Sequence, residues 1–258
     1  MPNRHSIVFF TLLCLTASCT AQAQHDPSVV ADARSSAPAP DQPSPKLGPD
    51  GKIENHFKEM HESFIRRGQE APIGILFIGD SITEGWHWDD NPDIFKAHFA
   101  QYMPANFGIS GDQTQHVLWR IANGELDNIH PKLIVLMIGT NNIGYPQEEI
   151  LAADQAIVRA IRQKLPDTKI LLLGIFPRGS DPNDPSVASM RSKIKFVNAG
   201  LAALDDGQTV HYLDIGEKFL NPDGVLPKNI MPDALHPNHQ GYEIWADAIQ
   251  PSVDEMMK

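Results

Sequence analysis

Short, continuous apolar runs recur along the chain, and each is followed closely by Gly or Pro or by a polar turn. The runs are 73–78, 132–138, 169–175 and, more weakly, 210–213. Because their apolar residues are continuous rather than alternating, they predict strands that are covered on both faces. Apolar residues at helical spacing follow them in four segments. These segments are approximately 112–126, 147–165, 186–204 and 239–256. The alternation predicts an α/β fold with a parallel sheet between helices.

The N-terminus differs from this pattern. A basic residue, Arg4, precedes an apolar stretch over 7–15 and an A-x-A site that ends at Ala23. That order predicts a secretory signal peptide over 1–23, cleaved after Ala23, and a secreted or periplasmic mature protein. The apolar stretch is too short to stay behind as a membrane span. The alternatives are a buried N-terminal helix or a lipoprotein that begins at Cys19, to which the flanking residues are a weak match.

Residues 24–50 are rich in Pro, Ala and Ser, which predicts a linker. The folded domain is therefore expected over 51–258, a length that suits one sizeable core. Both cysteines, Cys14 and Cys19, precede the predicted cleavage site. A mature protein cut after that site would have no cysteine, which excludes a disulfide framework, a thiolate nucleophile and a Cys-ligated zinc.

The charge of the chain narrows the choice of partners. The formal net charge is -11, and no cluster of Lys and Arg reverses it locally. An acidic protein of this kind has no general attraction for nucleic acid or for anionic lipid. We therefore expect neither as a partner.

Four polar segments stand where a parallel sheet places its active site, beyond the carboxyl ends of the strands. They are Gly79-Asp80-Ser81, the segment 106–112, Gly139-Thr140-Asn141-Asn142, and the segment 233–237. Each has an ordinary structural explanation when it is taken alone, as a helix cap, a tight turn or, for 233–237, a helix-entry loop with a surface histidine. Together they could supply a nucleophile, oxyanion donors and an oriented base, which indicates a catalytic site.

Two of these segments have chemistry that is readable from their spacing. Ser81 follows a strand where a helix could start, and a helix N-terminus offers free N–H groups and a partial positive charge to an oxyanion. Asp233 and His236 are close enough for the carboxylate to bind one ring nitrogen while the other takes a proton. Asp80 is expected to bond the backbone of the nucleophile turn. A metal site made from Asp233, His236 and His239 is the alternative.

These segments, in this order, resemble the GDSL or SGNH hydrolase superfamily. Within it, the chain is most similar to the catalytic subunits of platelet-activating factor acetylhydrolase and their bacterial relatives. The segments that carry this likeness are 106–112, 116–120, 123–126, 139–142 and 177–179. The resemblance implies that Ser81, Asp233 and His236 are catalytic. It also implies an oxyanion hole formed by Ser81, Gly111 and Asn141.

The resemblance further implies a flavodoxin-like three-layer α/β/α sandwich with a parallel sheet of about five strands, and no metal or organic cofactor. With the secretory leader, it indicates a serine carboxylic-ester hydrolase that removes short acyl groups, chiefly acetyl, from carbohydrate or small molecules. The alternatives are platelet-activating factor acetylhydrolase-like, lysophospholipase or aryl esterase activity, acyl transfer with the same residues, and a glycan-binding module without turnover. The animal relatives pair up, which leaves a homodimer open. No substrate-binding residue is assigned, although the loop with His87 and Trp88 departs from the family.

Overall fold

A sheet of five parallel strands forms the centre of the structure, a computed structural model that describes residues 38–258. The strands are β1 (Ile75–Gly79), β2 (Pro104–Gly108), β3 (Leu133–Met137), β4 (Lys169–Leu173) and β5 (Val210–Leu213). Their order is β2-β1-β3-β4-β5, and every neighbouring pair is parallel. This is the strand order of flavodoxin-like folds. The predicted α/β fold is therefore confirmed.

Seven α-helices accompany the sheet in the described part of the chain. They are α1 (Asn55–Glu70), α2 (Ser81–Glu84), α3 (Asn91–Phe99), α4 (Thr114–Ala122), α5 (Gln147–Lys164), α6 (Pro185–Ala202) and α7 (His239–Met256). The four helical segments predicted from spacing correspond to α4 to α7. Helix α1 was not among them, because Phe57, His61 and Phe64 are the residues it buries in an otherwise polar sequence. None of the helices described here is both long and apolar enough to cross a bilayer.

Strands β1, β3 and β4 send alternate side chains into two separate apolar layers. On β1, Leu76 and Ile78 pack in the layer that includes residues of α1, α4, α5 and α6. Ile75 and Phe77 pack in the opposite layer, with residues of α3 and α7. Both faces of the sheet are thus buried, which explains why the strands appear in the sequence as unbroken apolar runs.

The strands end level with one another, and this positions the site. Gly79 at the end of β1 is in register with Gly108 of β2 and Met137 of β3. The segments that follow these three strands therefore leave the sheet at the same edge. This is the edge at which α/β proteins of this topology bind ligands.

The predicted leader over 1–23, its cleavage after Ala23 and both cysteines lie outside the described residues, as do residues 24–37 of the predicted linker. The rest of that linker, 38–50, belongs to the same compact unit as the domain. Pro40 is buried, and its carbonyl accepts a hydrogen bond from Thr114 Oγ1 at 2.9 Å. The compact unit therefore includes residues 38–50 of the predicted linker. Composition does not reveal this, because contacts of this kind involve backbone groups.

Candidate active site

Ser81 is the first residue of α2, and only Asp80 separates it from the end of β1. The turn between β1 and α2 has no room for a side chain at Gly79, because a Cβ there would overlap the side chain of Thr83. Asp80 caps the helix, since its Oδ1 accepts a hydrogen bond from the Ile82 N–H at 3.0 Å. The Ser81 side chain is thereby held at the sheet edge, and the residue is 6% exposed.

The sequence predicts a partial positive charge from a helix dipole at Ser81, but α2 is too short to provide a large one. Helix α2 is four residues long, so few peptide dipoles add up along it. Its free N–H groups are what the turn can offer to an anion. Beneath it, burial raises the pKa of Asp80 to about 6, against the opposing effects of the Ile82 hydrogen bond and of nearby positive charge.

His236 connects Ser81 to a carboxylate. Its Nε2 lies 2.9 Å from Ser81 Oγ, and its Nδ1 lies 2.6 Å from Asp233 Oδ2. The other carboxylate oxygen, Oδ1, accepts the backbone N–H groups of Leu235 at 3.0 Å and of His236 at 2.8 Å. This tight loop includes Ala234 at a φ of 60°. The structure therefore brings the three predicted catalytic residues into one hydrogen-bonded chain.

The charge of Asp233 determines the direction of the proton in that chain. Burial acts to raise the pKa of Asp233, but hydrogen bonds from the backbone and ring of His236 and from the Leu235 N–H outweigh it and lower that pKa. An ionised carboxylate only accepts, so His236 Nδ1 must be the donor. The Nε2 of a neutral ring is then free to accept the Ser81 proton.

The two remaining residues of the predicted site lie on neighbouring loops. Gly111 has a φ of +74°, a left-handed conformation that favours glycine. Asn141 lies beyond β3, and its Nδ2 donates to the Asp112 carbonyl at 2.9 Å. One of the two amide hydrogens is used there, so the other can bind a ligand. Asn141 is held in turn by Gln113 Nε2, which donates to its carbonyl at 2.8 Å.

The loop with Gly111 is also tied to the nucleophile turn. The Ile109 N–H donates to the Gly79 carbonyl at 3.3 Å, and the Ser110 N–H donates to Glu84 Oε2 at 2.5 Å. Glu84 belongs to the same short helix as Ser81. Hydrogen bonds thus join three of the four segments that carry the predicted site residues, and the bond between His236 and Ser81 joins the fourth.

Arg120 is the principal residue of this region that the sequence did not single out. It is fully buried, with Nε 3.0 Å from Asp112 Oδ2 and Nη1 2.5 Å from Glu125 Oε2. Its guanidinium also donates to the carbonyls of Phe107 at 3.0 Å and Gly79 at 3.4 Å. Arg120 therefore connects the ends of β1 and β2 to Asp112, the residue after Gly111. The sequence places Arg120 on an amphipathic helix but does not reveal that its partners are buried with it.

Trp88 lies beside His236, the predicted base. Its ring is in an edge-on arrangement with the His236 ring, at a centroid distance of 5.7 Å. The residue is half-buried, so part of its indole is available next to the site. His87, its neighbour, packs instead near Phe95, at a centroid distance of 6.2 Å. Of these two aromatic neighbours, Trp88 is therefore the one whose ring is beside His236.

The alternative of a metal site depends on where His239 points. Its Nδ1 lies 3.0 Å from Asp90 Oδ1, and its Nε2 lies 3.7 Å from Glu243 Oε1. His239 thus pairs away from the carboxylate of Asp233, which binds His236. Across residues 38–258, no group of three or more His, Cys, Asp or Glu side chains has an arrangement that could hold a metal ion.

Residues 77–244 match the GDSL-like Lipase/Acylhydrolase family. The chain belongs to this family. Platelet-activating factor acetylhydrolase IB subunit alpha1 of Bos taurus is 35% identical to this GDSL-like acylhydrolase over 190 residues, 73% of this chain and 78% of the relative. The family and its relatives hydrolyse esters, so the predicted family and enzyme class are confirmed.

Solved structures agree with the fold of this GDSL-like acylhydrolase. A GDSL-like lipase from Bacteroides thetaiotaomicron superposes with a TM-score of 0.61 at 22% identity, over 76% of this chain and 97% of the other. An acetyl xylan esterase superposes with a TM-score of 0.55 at 19% identity, over 69% and 98%. At these identities the likeness establishes the shared fold.

Proposed function

We propose that this acylhydrolase is a secreted serine acetylesterase, which removes acetyl or other short acyl groups from carbohydrate or small-molecule esters. The observation that carries the proposal is the hydrogen-bonded chain from Asp233 through His236 to Ser81 at the carboxyl edge of the sheet. A serine in this arrangement has an adjacent base, and that base is oriented by a third group.

In the first half of the reaction, Ser81 Oγ attacks the ester carbonyl while His236 Nε2 takes its proton. The carbonyl oxygen becomes an oxyanion, which the N–H groups of Ser81 and Gly111 and the Asn141 amide stabilise. His236 then gives its proton to the departing alcohol, which leaves an acetyl group on Ser81.

In the second half, water takes the place of the alcohol. His236 removes a proton from the water as it attacks the acetyl-enzyme, and the oxyanion forms again at the same donors. Collapse of this intermediate returns the proton to Ser81 Oγ and releases acetate. Asp233 stays ionised throughout and stabilises the imidazolium.

Two observations support a short acyl group and an exported substrate. The relative at 35% identity is named as an acetylhydrolase. The leader pattern that ends at Ala23 supports export from the cytoplasm. Acetylated carbohydrate is a substrate class that is accessible to an exported enzyme. The half-buried indole of Trp88 beside His236 offers a flat apolar surface on which a sugar ring could rest. The same 35% identity favours an acetylated phospholipid as the second candidate.

The nucleophile is tested by Ser81→Ala, with Ser186→Ala as a control. Ser186 is an exposed serine at the start of α6, and it has no role in the proposed reaction. We expect wild type and the control to hydrolyse p-nitrophenyl acetate and to be labelled by a fluorophosphonate. Ser81→Ala should lose both, with kcat lower by at least about a thousandfold. Wild-type turnover or labelling in Ser81→Ala would disprove the assignment.

The substrate class is tested by acetate release from acetylated xylan, from platelet-activating factor and from aryl acetates and butyrates. We expect the highest kcat/KM on acetylated sugars, and lower values on butyrates than on acetates. The highest value on platelet-activating factor would favour the phospholipid candidate instead. Acetyl glycerol as the main product in added glycerol would show acyl transfer rather than hydrolysis.

A further inference from the structure

A segment that precedes the region matched to the family contacts the loop that carries Gly111. This segment, residues 38–54, is here named the N-terminal strap. Leu47 and Ile53 of the strap pair in an antiparallel bridge, which gives the strap a fixed local shape. Lys46 lies immediately before that bridge.

The Lys46 ammonium reaches the backbone of this loop. Its Nζ donates to the Ser110 carbonyl at 2.6 Å and lies 3.5 Å from Glu54 Oε2. The Lys46 side chain is 25% exposed, so water screens its charge only in part. A Cβ built on Gly111 would lie 3.0 Å from the same Nζ. The ammonium is therefore directly beside the peptide that joins Ser110 to Gly111.

That peptide is the one whose N–H is expected to bind the oxyanion. The Ser110 carbonyl and the Gly111 N–H belong to one planar unit, and no cis peptide occurs in residues 38–258. In a trans peptide the C=O and the N–H point in opposite directions. A bond that holds the oxygen toward Lys46 therefore holds the Gly111 N–H away from it.

Two charged groups act on Ser110. Its carbonyl accepts from Lys46, while its N–H donates to Glu84 Oε2 at 2.5 Å. Charge-assisted bonds are stronger than neutral ones, and a bond to the carbonyl polarises the amide. A polarised amide is a better N–H donor to a developing negative charge. The charge of Lys46 also acts on His116. Burial is the largest cause that lowers the pKa of His116 to about 4, and the charge of Lys46 is the next.

We propose that Lys46 is a positioning residue of the oxyanion hole, whose ammonium orients and polarises the Ser110–Gly111 peptide so that the Gly111 N–H binds the oxyanion. The role rests on the proposed ester hydrolysis at Ser81. It extends the functional unit beyond the matched region 77–244 to the N-terminal strap.

The test compares Lys46→Met with Lys46→Arg in the full chain. Lys52→Met is the matched control, because Lys52 lies on the same strap, is 83% exposed and pairs with exposed Asp50. The assays are kcat and KM on p-nitrophenyl acetate, the rate of fluorophosphonate labelling, and the thermal midpoint. Removal of a direct oxyanion donor costs about 10²–10³ in kcat, so an indirect effect through the peptide should be near tenfold.

We expect Lys46→Met to lower kcat and the labelling rate about tenfold, with KM changed by less than about twofold. Lys46→Arg should recover most of the loss, and Lys52→Met should match wild type. An unchanged kcat in Lys46→Met would overturn the proposal.

A purely structural role is separated by Thr114→Val, which removes the bond to Pro40 but leaves Lys46 intact. If Thr114→Val lowers kcat as much as Lys46→Met, docking of the strap alone explains the effect and the proposal is wrong. If Lys46→Met does not fold, Lys46→Arg still decides, since a folded Arg variant must keep kcat within about threefold of wild type. A wild-type protein that neither labels nor hydrolyses esters would instead refute the proposed function, and the role of Lys46 with it.

Discussion

Replacement of Asp233 by Asn should disable the proposed base, His236, and leave the loop in place. Asp233 Oδ1 accepts the backbone N–H groups of Leu235 at 3.0 Å and His236 at 2.8 Å, and the Asn oxygen can keep both bonds. The Asn Nδ2 would then face His236 Nδ1, where Asp233 Oδ2 now lies at 2.6 Å. Two donors cannot bond each other, so the ring takes the other tautomer. Its Nε2 then carries the hydrogen and cannot accept one from Ser81.

The size of the effect follows from charge and tautomer together. The charge centres of an imidazolium and a carboxylate in direct contact are about 4 Å apart, which gives about 1 kcal/mol in water and about 4 kcal/mol at a dielectric constant of about 20. The Asp233 side chain is 54% exposed, so the true value lies between these limits. The charge alone then accounts for about a fivefold to a thousandfold loss. With the wrong tautomer added, kcat should fall about 10³–10⁴-fold.

The assay is kcat on p-nitrophenyl acetate, together with the thermal midpoint. Asp90→Asn is the control, because Asp90 pairs with His239 at 3.0 Å outside the chain that reaches Ser81. The control should stay within about twofold of wild type, as surface changes generally do. An Asp233→Asn protein that keeps more than about a tenth of the wild-type kcat would refute this reasoning.

Two further predictions concern the buried charges below the site. Arg120→Met leaves the carboxylate of Glu125 buried without its partner, so unfolding in urea should show a loss of about 3–5 kcal/mol; a loss below about 1 kcal/mol would contradict the role of Arg120. Burial raises the pKa of Asp112 to about 8, so the folded state holds this proton more tightly than the unfolded chain. The stability it contributes is therefore complete below the ordinary Asp range and is lost as the pH rises through about 8. Between pH 6 and pH 9 the urea midpoint should fall more in wild type than in Asp112→Asn. An equal fall in the two proteins would show that Asp112 does not titrate in this range.

Much of the fold could be predicted because its strands are buried on both faces. The unbroken run 132–138 predicted β3. A Gly or a polar turn after a predicted strand indicated where candidate active-site residues could lie. The roles of Ser81 and His236 came from their place in the chain order of the motifs, since neither residue is distinctive by itself. Their hydrogen bond at 2.9 Å could not be predicted from the sequence, because it joins segments that are far apart.

The features that escaped prediction share one physical cause. Helix α1 buries few apolar residues, so periodicity gives little signal. The strap residue Pro40 is held by a bond to its carbonyl, and every residue type has one. Arg120 is buried because Asp112 and Glu125 are buried with it. In each case the interaction depends on a partner that the local sequence does not specify.

The bond between Ser81 and His236 spans 155 positions of the chain. Tyr242 of α7 donates to the Ile82 carbonyl at 2.7 Å, one residue after Ser81, so docking of the final helix should bring the two residues together. Before that docking, we expect Ser81 to be an ordinary alcohol with no base beside it. Ester turnover during refolding should therefore be proportional to the fraction of fully folded molecules. In a chain whose C-terminal helix is still undocked, the serine should be unreactive.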